Sequence, residues 1–188
     1  VTIHTHFRMD GTWRTFRAGR PWRGGQGWQI RIVLANAEFD AVGFRIPVID
    51  VVPRAKESDL VGHLGPDLLG PDWDADEAAR RLAGEPDREI GEALLDQRNL
   101  AGLGNLYKTE LCFLRGVSPW TPVREAGELT SWVDLAHRLL TANIGGYVQS
   151  TTGDTRSDRK NWVYGRRTCL RCGGPIRRGD QGVAPWER

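Results

Sequence analysis

The stretch "LLDQRNLAGLGNLYKTELCFLRGVSPW", residues 94–120, constrains the fold more than any other part of the chain. Apolar residues recur at helical spacing on both sides of a joint holding Gly102, Gly104 and Asn105. Two helices joined by a glycine-rich turn are therefore predicted where one longer helix could have run. Glycines permit a tight turn, and they let the amides that open the second helix approach a ligand without a Cβ in the way. A helix N-terminus carries orphan N–H donors and a partial positive charge, which suits phosphate. Asn105 adds a side-chain donor at that point. An ordinary close-packed helix joint is the alternative reading of the same spacing.

The rest of the chain divides around this element. From residue 1 to about 53, runs such as "WQIRIVLAN" and "VGFRIPVIDVV" alternate apolar and polar residues and are broken by Gly and Pro, which predicts strands. From about 74 to 150 the periodicity is helical, and Asp74 with Glu77 forms a capping-box pattern. The Gly/Pro-rich "VGHLGPDLLGPDW" reads as a connection. The expected organisation is an incomplete β-rich domain over 1–57, an interdomain segment over 58–73, a helical domain over 74–153 and a cysteine-containing region over 154–188. The fold class is α+β with two domains.

Net charge is only +2, but it is unevenly placed: 155–180 is strongly basic and 57–92 acidic. A basic end interleaved with Trp162 and Tyr164 is the footprint of a polyanion-binding face rather than of a solvated tail. No apolar run approaches membrane-span length, and the first residues show no secretion signal, so a soluble protein is expected. Three cysteines without a leader argue for a reducing compartment. Cys112 sits alone in an apolar helix and reads as core. Cys169 and Cys172 form a C-x-x-C followed by Gly173, Gly174 and Pro175, the turn of a zinc knuckle rather than the helix of a redox pair. Two of the four ligands of a structural zinc site are then in hand. His4 and His6 share a strand face by period two and are expected to be structural.

"LLDQRNLAGLGNLYKTELCFLRGVSPWTPV" resembles the helix-two-turn-helix element of the formamidopyrimidine-DNA glycosylase/endonuclease VIII family. "VYGRRTCLRCGGPIRR" is similar to the start of that family's C-terminal zinc finger, and "HTHFRMDGTW" to its "HLxMxG" strand and loop. "HFRMDG" and "GHLGPDLLGPDW" lean toward the endonuclease VIII branch. The resemblance implies a β-sandwich remnant, a helix-two-turn-helix domain and a zinc-finger hairpin. It implies a bacterial, cytoplasmic, nucleoid-associated monomer that acts on double-stranded damaged DNA, excising a damaged, oxidised base and nicking the backbone by β,δ-elimination.

By the same resemblance Asn105 contacts a phosphate, and Met9 fills the gap left by a flipped base, with Arg8 beside it reaching the backbone or the opposite base. His63 and Leu64 stand where the family has Arg and an apolar residue. Lys108 is expected at a phosphate, Glu110 in a structural hydrogen bond, and Lys160 and Tyr164 near the backbone and the damage pocket. Arg188 falls about where a finger-tip arginine promotes elimination, and Cys169 and Cys172 hold structural zinc. The family's nucleophile is an N-terminal proline amine, assisted by the adjacent glutamate and a lysine on an upstream hairpin. Val1 aligns just before the "HLxMxG" landmark, so the sequence is expected to be part of a longer enzyme, seen without its Pro-Glu terminus and second zinc pair. A truncated, non-catalytic damaged-DNA-binding module is the alternative.

Overall fold

The computed structural model describes residues 1–7, 10–146 and 148–182 and divides into two compact units, residues 1–63 and 64–188. The first unit is built from β1 (Thr2–His6), β2 (Thr12–Arg17), β3 (Ile30–Ala35), β4 (Phe39–Phe44) and β5 (Val48–Val52), followed by a short α1 (Glu57–Val61). β1 and β5 form one antiparallel ladder, with Thr2 opposite Val52 and His6 opposite Val48. β2, β4 and β3 form a second antiparallel sheet with β4 in the centre. Val42, Phe44 and Ile46 are fully buried, as the central strand and its exit should be. The His4 ring nitrogen lies 3.1 Å from Asp50, its cross-strand partner, which is the structural role expected of it.

The second unit is helical: α2 (Ala75–Leu82), α3 (Ile90–Leu95), α4 (Asn105–Arg115) and α5 (Thr130–Thr141). Asp74 caps α2 by accepting the Glu77 N–H at 3.0 Å, so the capping pattern in the sequence does start a helix there. α4 stops at Gly116, whose φ of 68° is a left-handed conformation that favours glycine. Leu68, Leu82, Ile90, Leu94, Leu100, Leu111, Trp132 and Val133 form a common core around these helices. Each such apolar side chain contributes about 1.5–3 kcal/mol by leaving water. The Trp132 indole N–H, wholly buried, donates to the Ala126 carbonyl at 3.0 Å, so burying this nitrogen leaves its donor satisfied. Cys112 is buried among these residues, as its apolar helix predicts, and burial pushes its thiol up to about 11.

Beyond α5 the described chain forms no further helix or ladder, only an isolated antiparallel bridge between Thr168 and Pro175 around the two cysteines. Scattered backbone bonds, such as Thr151 N to Lys160 O at 2.8 Å and Leu170 N to Trp162 O at 2.9 Å, combine with side chains to order it. Asn143 donates to Ser150 O and accepts from Ser150 N, closing one loop. The buried carboxylate of Glu110 closes the next by accepting from Trp162 N (2.8 Å), Val163 N (2.8 Å), Tyr164 N (2.6 Å) and the Thr151 hydroxyl. Glu110 is thus the structural hydrogen-bonding residue that the sequence suggested, with four donors on two oxygens.

Candidate nucleic-acid interface

The joint between α3 and α4 is organised by Gln97. Its Nε2 donates to the carbonyls of Leu95 and Leu103, both at 3.0 Å, while its Oε1 accepts the Gly102 N–H at 2.9 Å. One side chain therefore satisfies the end of α3 and both turns that follow. Gly102 has φ of 99°, which a residue with a Cβ adopts only under strain. Gly104 is different: its φ is ordinary, and a Cβ built there would meet nothing within 4 Å. What glycine leaves at that point is open space in front of α4.

The start of α4 has no side-chain cap, and its first internal hydrogen bond runs from Lys108 N to Gly104 O at 2.9 Å. The amides ahead of Lys108 face that open space with the positive end of the helix dipole behind them. The half-buried Asn105 side chain has its Oδ1 buried without a partner, and among the described residues no protein group accepts from its Nδ2. A neutral amide held this way, with the donor end unengaged, is a ready contact for an anionic oxygen.

Leu106, one residue on, lines a cleft of about 490 Å³ whose other wall is the 157–168 segment. Lys160, Arg166 and Arg167 supply cations to it, and Asn161 and Tyr164 polar and aromatic surface. Arg166 also braces the wall, donating to the carbonyls of Thr168 at 3.1 Å and Asp158. Asn161 is nearly inaccessible, with its Oδ1 unpartnered. Glu110 fixes the backbone of Trp162, Val163 and Tyr164, so α4 carries both Asn105 and the anchor of the opposite wall.

Of the residues singled out in the sequence, Lys160 and Tyr164 line one cleft, and Asn105 directly precedes its lining residue Leu106. Lys108 is not. It is buried, its Nζ donates to Gln181 Oε1 at 3.2 Å, and Gln181 in turn donates to Glu89 (2.7 Å) and Pro119 O (2.8 Å). Burial lowers its pKa, with Cys112, Glu89 and Glu92 opposing that effect. The expected phosphate contact is corrected accordingly: a residue three after Asn105 lies near it along the helix, but here that position turns toward α3. His63 is exposed in the turn after α1, and Leu64, half-buried, begins the second unit. Arg8, Met9 and Arg188 lie outside the described residues.

Cys169 and Cys172 stand on a tight turn in which Cys169 N donates to Gly174 O at 2.8 Å and Gly173 N to Cys169 O at 2.9 Å. Burial works against ionisation of the Cys169 thiol, but the backbone N–H groups of Cys172 and Arg171, the Cys172 thiol and the Arg171 charge together hold its pKa below the ordinary value. That donor set suits a metal thiolate. No cluster of three or more His, Cys, Asp or Glu able to hold an ion occurs among the described residues.

Sequence reasoning missed Gln97 as the organiser of the joint, although it stands inside the quoted motif. It also missed Asn161, which nothing in its surroundings marks, and Arg45, whose φ of 51° makes it the one non-glycine residue with a positive φ among those described.

Residues 64–146 match the family model of the formamidopyrimidine-DNA glycosylase H2TH domain. A probable endonuclease 8 2 of Streptomyces coelicolor is 53% identical across 100% of this chain and 69% of its own length. The chain belongs to the formamidopyrimidine-DNA glycosylase/endonuclease VIII family. Within it the relatives point to the endonuclease VIII branch: a DNA-(apurinic or apyrimidinic site) lyase Nei2 of Mycolicibacterium smegmatis is 43% identical over 99% of the chain and 73% of that protein. Among solved structures, Lactococcus lactis formamidopyrimidine-DNA glycosylase bound to DNA containing an AP site superposes with a TM-score of 0.69 at 20% identity, covering 98% of this chain and 70% of that one. The family's fold, mixed α+β with an H2TH domain, is therefore the fold of this chain.

Proposed function

We propose that this chain grips damaged duplex DNA for a base-excision-repair glycosylase with AP lyase activity, acting on oxidised bases by β,δ-elimination. The observation that carries the reading is the uncapped start of α4, where Asn105 offers an unengaged amide donor at the edge of a cleft lined by Lys160, Arg166 and Arg167. Helix amides and Asn105 bind one phosphodiester, and the cations hold the neighbouring backbone, which fixes the register of the strand without reading its sequence. Tyr164 and Lys160 face the displaced nucleotide. Met9 occupies the gap it leaves, with Arg8, His63 and Leu64 toward the opposite strand, and Arg188 takes the finger-tip role in elimination. The 188 residues supply the grip, and we assign no nucleophile among them.

Zinc belongs to this reading as a structural ion. Cys169 and Cys172 are the residues that would hold it, and the ion would brace the finger hairpin through its thiolates. Their short turn and the lowered thiol pKa of Cys169 support this. The protein works as a monomer in the bacterial cytoplasm. Among the described residues no helix is long and apolar enough to cross a membrane.

The test is equilibrium binding of this chain to a duplex with and without one aldehydic abasic site, beside borohydride trapping on the same duplex by the longer enzyme that carries the Pro-Glu terminus. Lesion-selective binding with a covalent adduct supports the full reading. Lesion-selective binding without an adduct reduces it to a damaged-DNA-binding module, and equal affinity for intact and damaged duplex overturns it.

A further inference from the structure

The stretch "RTFRAGRPWRGGQGWQIR", residues 14–31, holds Arg14, Arg17, Arg20, Arg23 and Arg31 and no acidic residue. None of these five arginines makes an ion pair among the described residues. The loop between β2 and β3 folds back on its own sheet: the Arg14 guanidinium lies against Gly24, Gly25 lies against the Phe44 ring, and the Trp22 indole donates to Asp40 at 3.0 Å. That last bond engages the one carboxylate that faces the loop from β4.

Trp28 is 79% exposed, yet it is not on a floppy segment. It sits in the one-turn helix Gly27–Gln29, where Gln26 N donates to Gln29 Oε1 and Gln29 N to Gln26 O, both at 2.9 Å, and Arg45 N donates to Gln29 O at 2.7 Å and ties the turn to the end of β4. Arg31, next to it, occupies the irregularity between Ile30 and Ile32, where a bulge releases a residue from the ladder. Unpaired guanidinium groups on the same loop as a solvent-facing indole held by its turn combine an electrostatic track with a stacking platform. A duplex keeps its bases stacked inside, so an exposed ring of this kind gains a partner only from unpaired bases.

We propose that the loop over residues 18–29, with Arg14 and Arg31, is a second nucleic-acid surface that binds single-stranded DNA, by stacking on Trp28 and by phosphate contacts to Arg20 and Arg23. The proposal rests on the DNA-repair reading above and adds a strand contact made by residues outside the helix-two-turn-helix element.

The probes are fluorescein-labelled (dT)16 and, in parallel, a blunt duplex with one abasic-site analogue. The proteins are the full chain and its variants Trp28→Ala and Arg20→Ala/Arg23→Ala, whose exposed positions leave the thermal midpoint as a check on folding. The expected result is an affinity for (dT)16 about tenfold lower in each variant. The double arginine variant also loses about 1.4 from the log–log salt slope, at about 0.7 per released phosphate contact. Affinity for the abasic duplex stays within about twofold of the parent's. Unchanged (dT)16 affinity and slope in both variants overturn the proposal, and so does an equal loss on the blunt duplex, which would make the surface a general polyanion contact. If the parent binds (dT)16 through this loop but does not prefer the abasic duplex, the functional reading fails while the surface stands.

Discussion

Replacing Glu110 by Gln tests how the cleft is held together. The carboxylate is fully buried and accepts four hydrogen bonds: Val163 N and Tyr164 N on Oε1, Trp162 N and the Thr151 hydroxyl on Oε2. Glutamine keeps the shape but turns one oxygen into an NH2 group. With the amide oxygen kept toward Val163 and Tyr164, the Thr151 hydroxyl can rotate to accept, but the Trp162 N–H then faces a donor. A buried donor left without a partner costs about 1–3 kcal/mol, and the surviving bonds lose the charge assistance that makes such bonds worth about 1.5–3 kcal/mol each. The sum is about 3–5 kcal/mol, or a fall of about 10 °C in thermal midpoint for a protein of this size. Differential scanning fluorimetry reads that shift. Affinity for an abasic duplex should fall with it, because the same bonds fix the backbone of Tyr164. A midpoint within about 3 °C of the parent's would refute the claim that Glu110 anchors the 161–164 segment.

Two other substitutions probe the joint. The Arg98 guanidinium beside Asp96, with Arg88 helping and burial opposing, holds that carboxyl well below the usual carboxylate range. A depressed folded-state pKa contributes stability above the unfolded value of about 3.9 and loses it as pH falls. Asp96→Asn should therefore be less stable than the parent at pH 7, with the gap in urea midpoint closing only below about pH 4, and a gap that stays constant to pH 2 contradicts this. A Cβ on Gly65 would lie 2.6 Å from Arg98 O and 2.7 Å from Asn99 O, both backbone atoms that cannot step aside cheaply. Gly65→Ala should cost about 1–3 kcal/mol in denaturant unfolding, and an unchanged midpoint would mean that this close approach is not required.

Much of the helical unit was legible because its signals are local. The Asp74 cap, the helical periodicity and the turn glycines all act within a few residues, and α2 to α5 appear where those signals lie. The candidate site was legible only in part. Asn105 announces itself as a polar residue at a glycine-rich helix start, but the direction of Lys108 depends on what packs across from α4. Glu89 and Pro119 lie 92 and 62 residues from Gln181 along the chain, and no period in the sequence encodes that meeting. The same is true of the cleft wall: Glu110 reaches backbone amides 52 to 54 residues further on. Strand pairing in the first unit depends on register, so the alternating runs predicted β-structure without predicting that β1 would pair with β5 or that β4 would take the centre.

The account turns on Asn105 at the open end of α4, and its most direct test is the affinity of Asn105→Ala for a duplex carrying one tetrahydrofuran abasic analogue. Because Oδ1 has no partner and Nδ2 is unengaged within the described protein, the substitution should leave the thermal midpoint nearly unchanged. Loss of a hydrogen bond to a charged phosphate oxygen, worth about 1.5–3 kcal/mol, predicts about 10- to 100-fold weaker binding. A variant that folds normally and binds that duplex as tightly as the parent would contradict the assignment of this helix start as the phosphate grip.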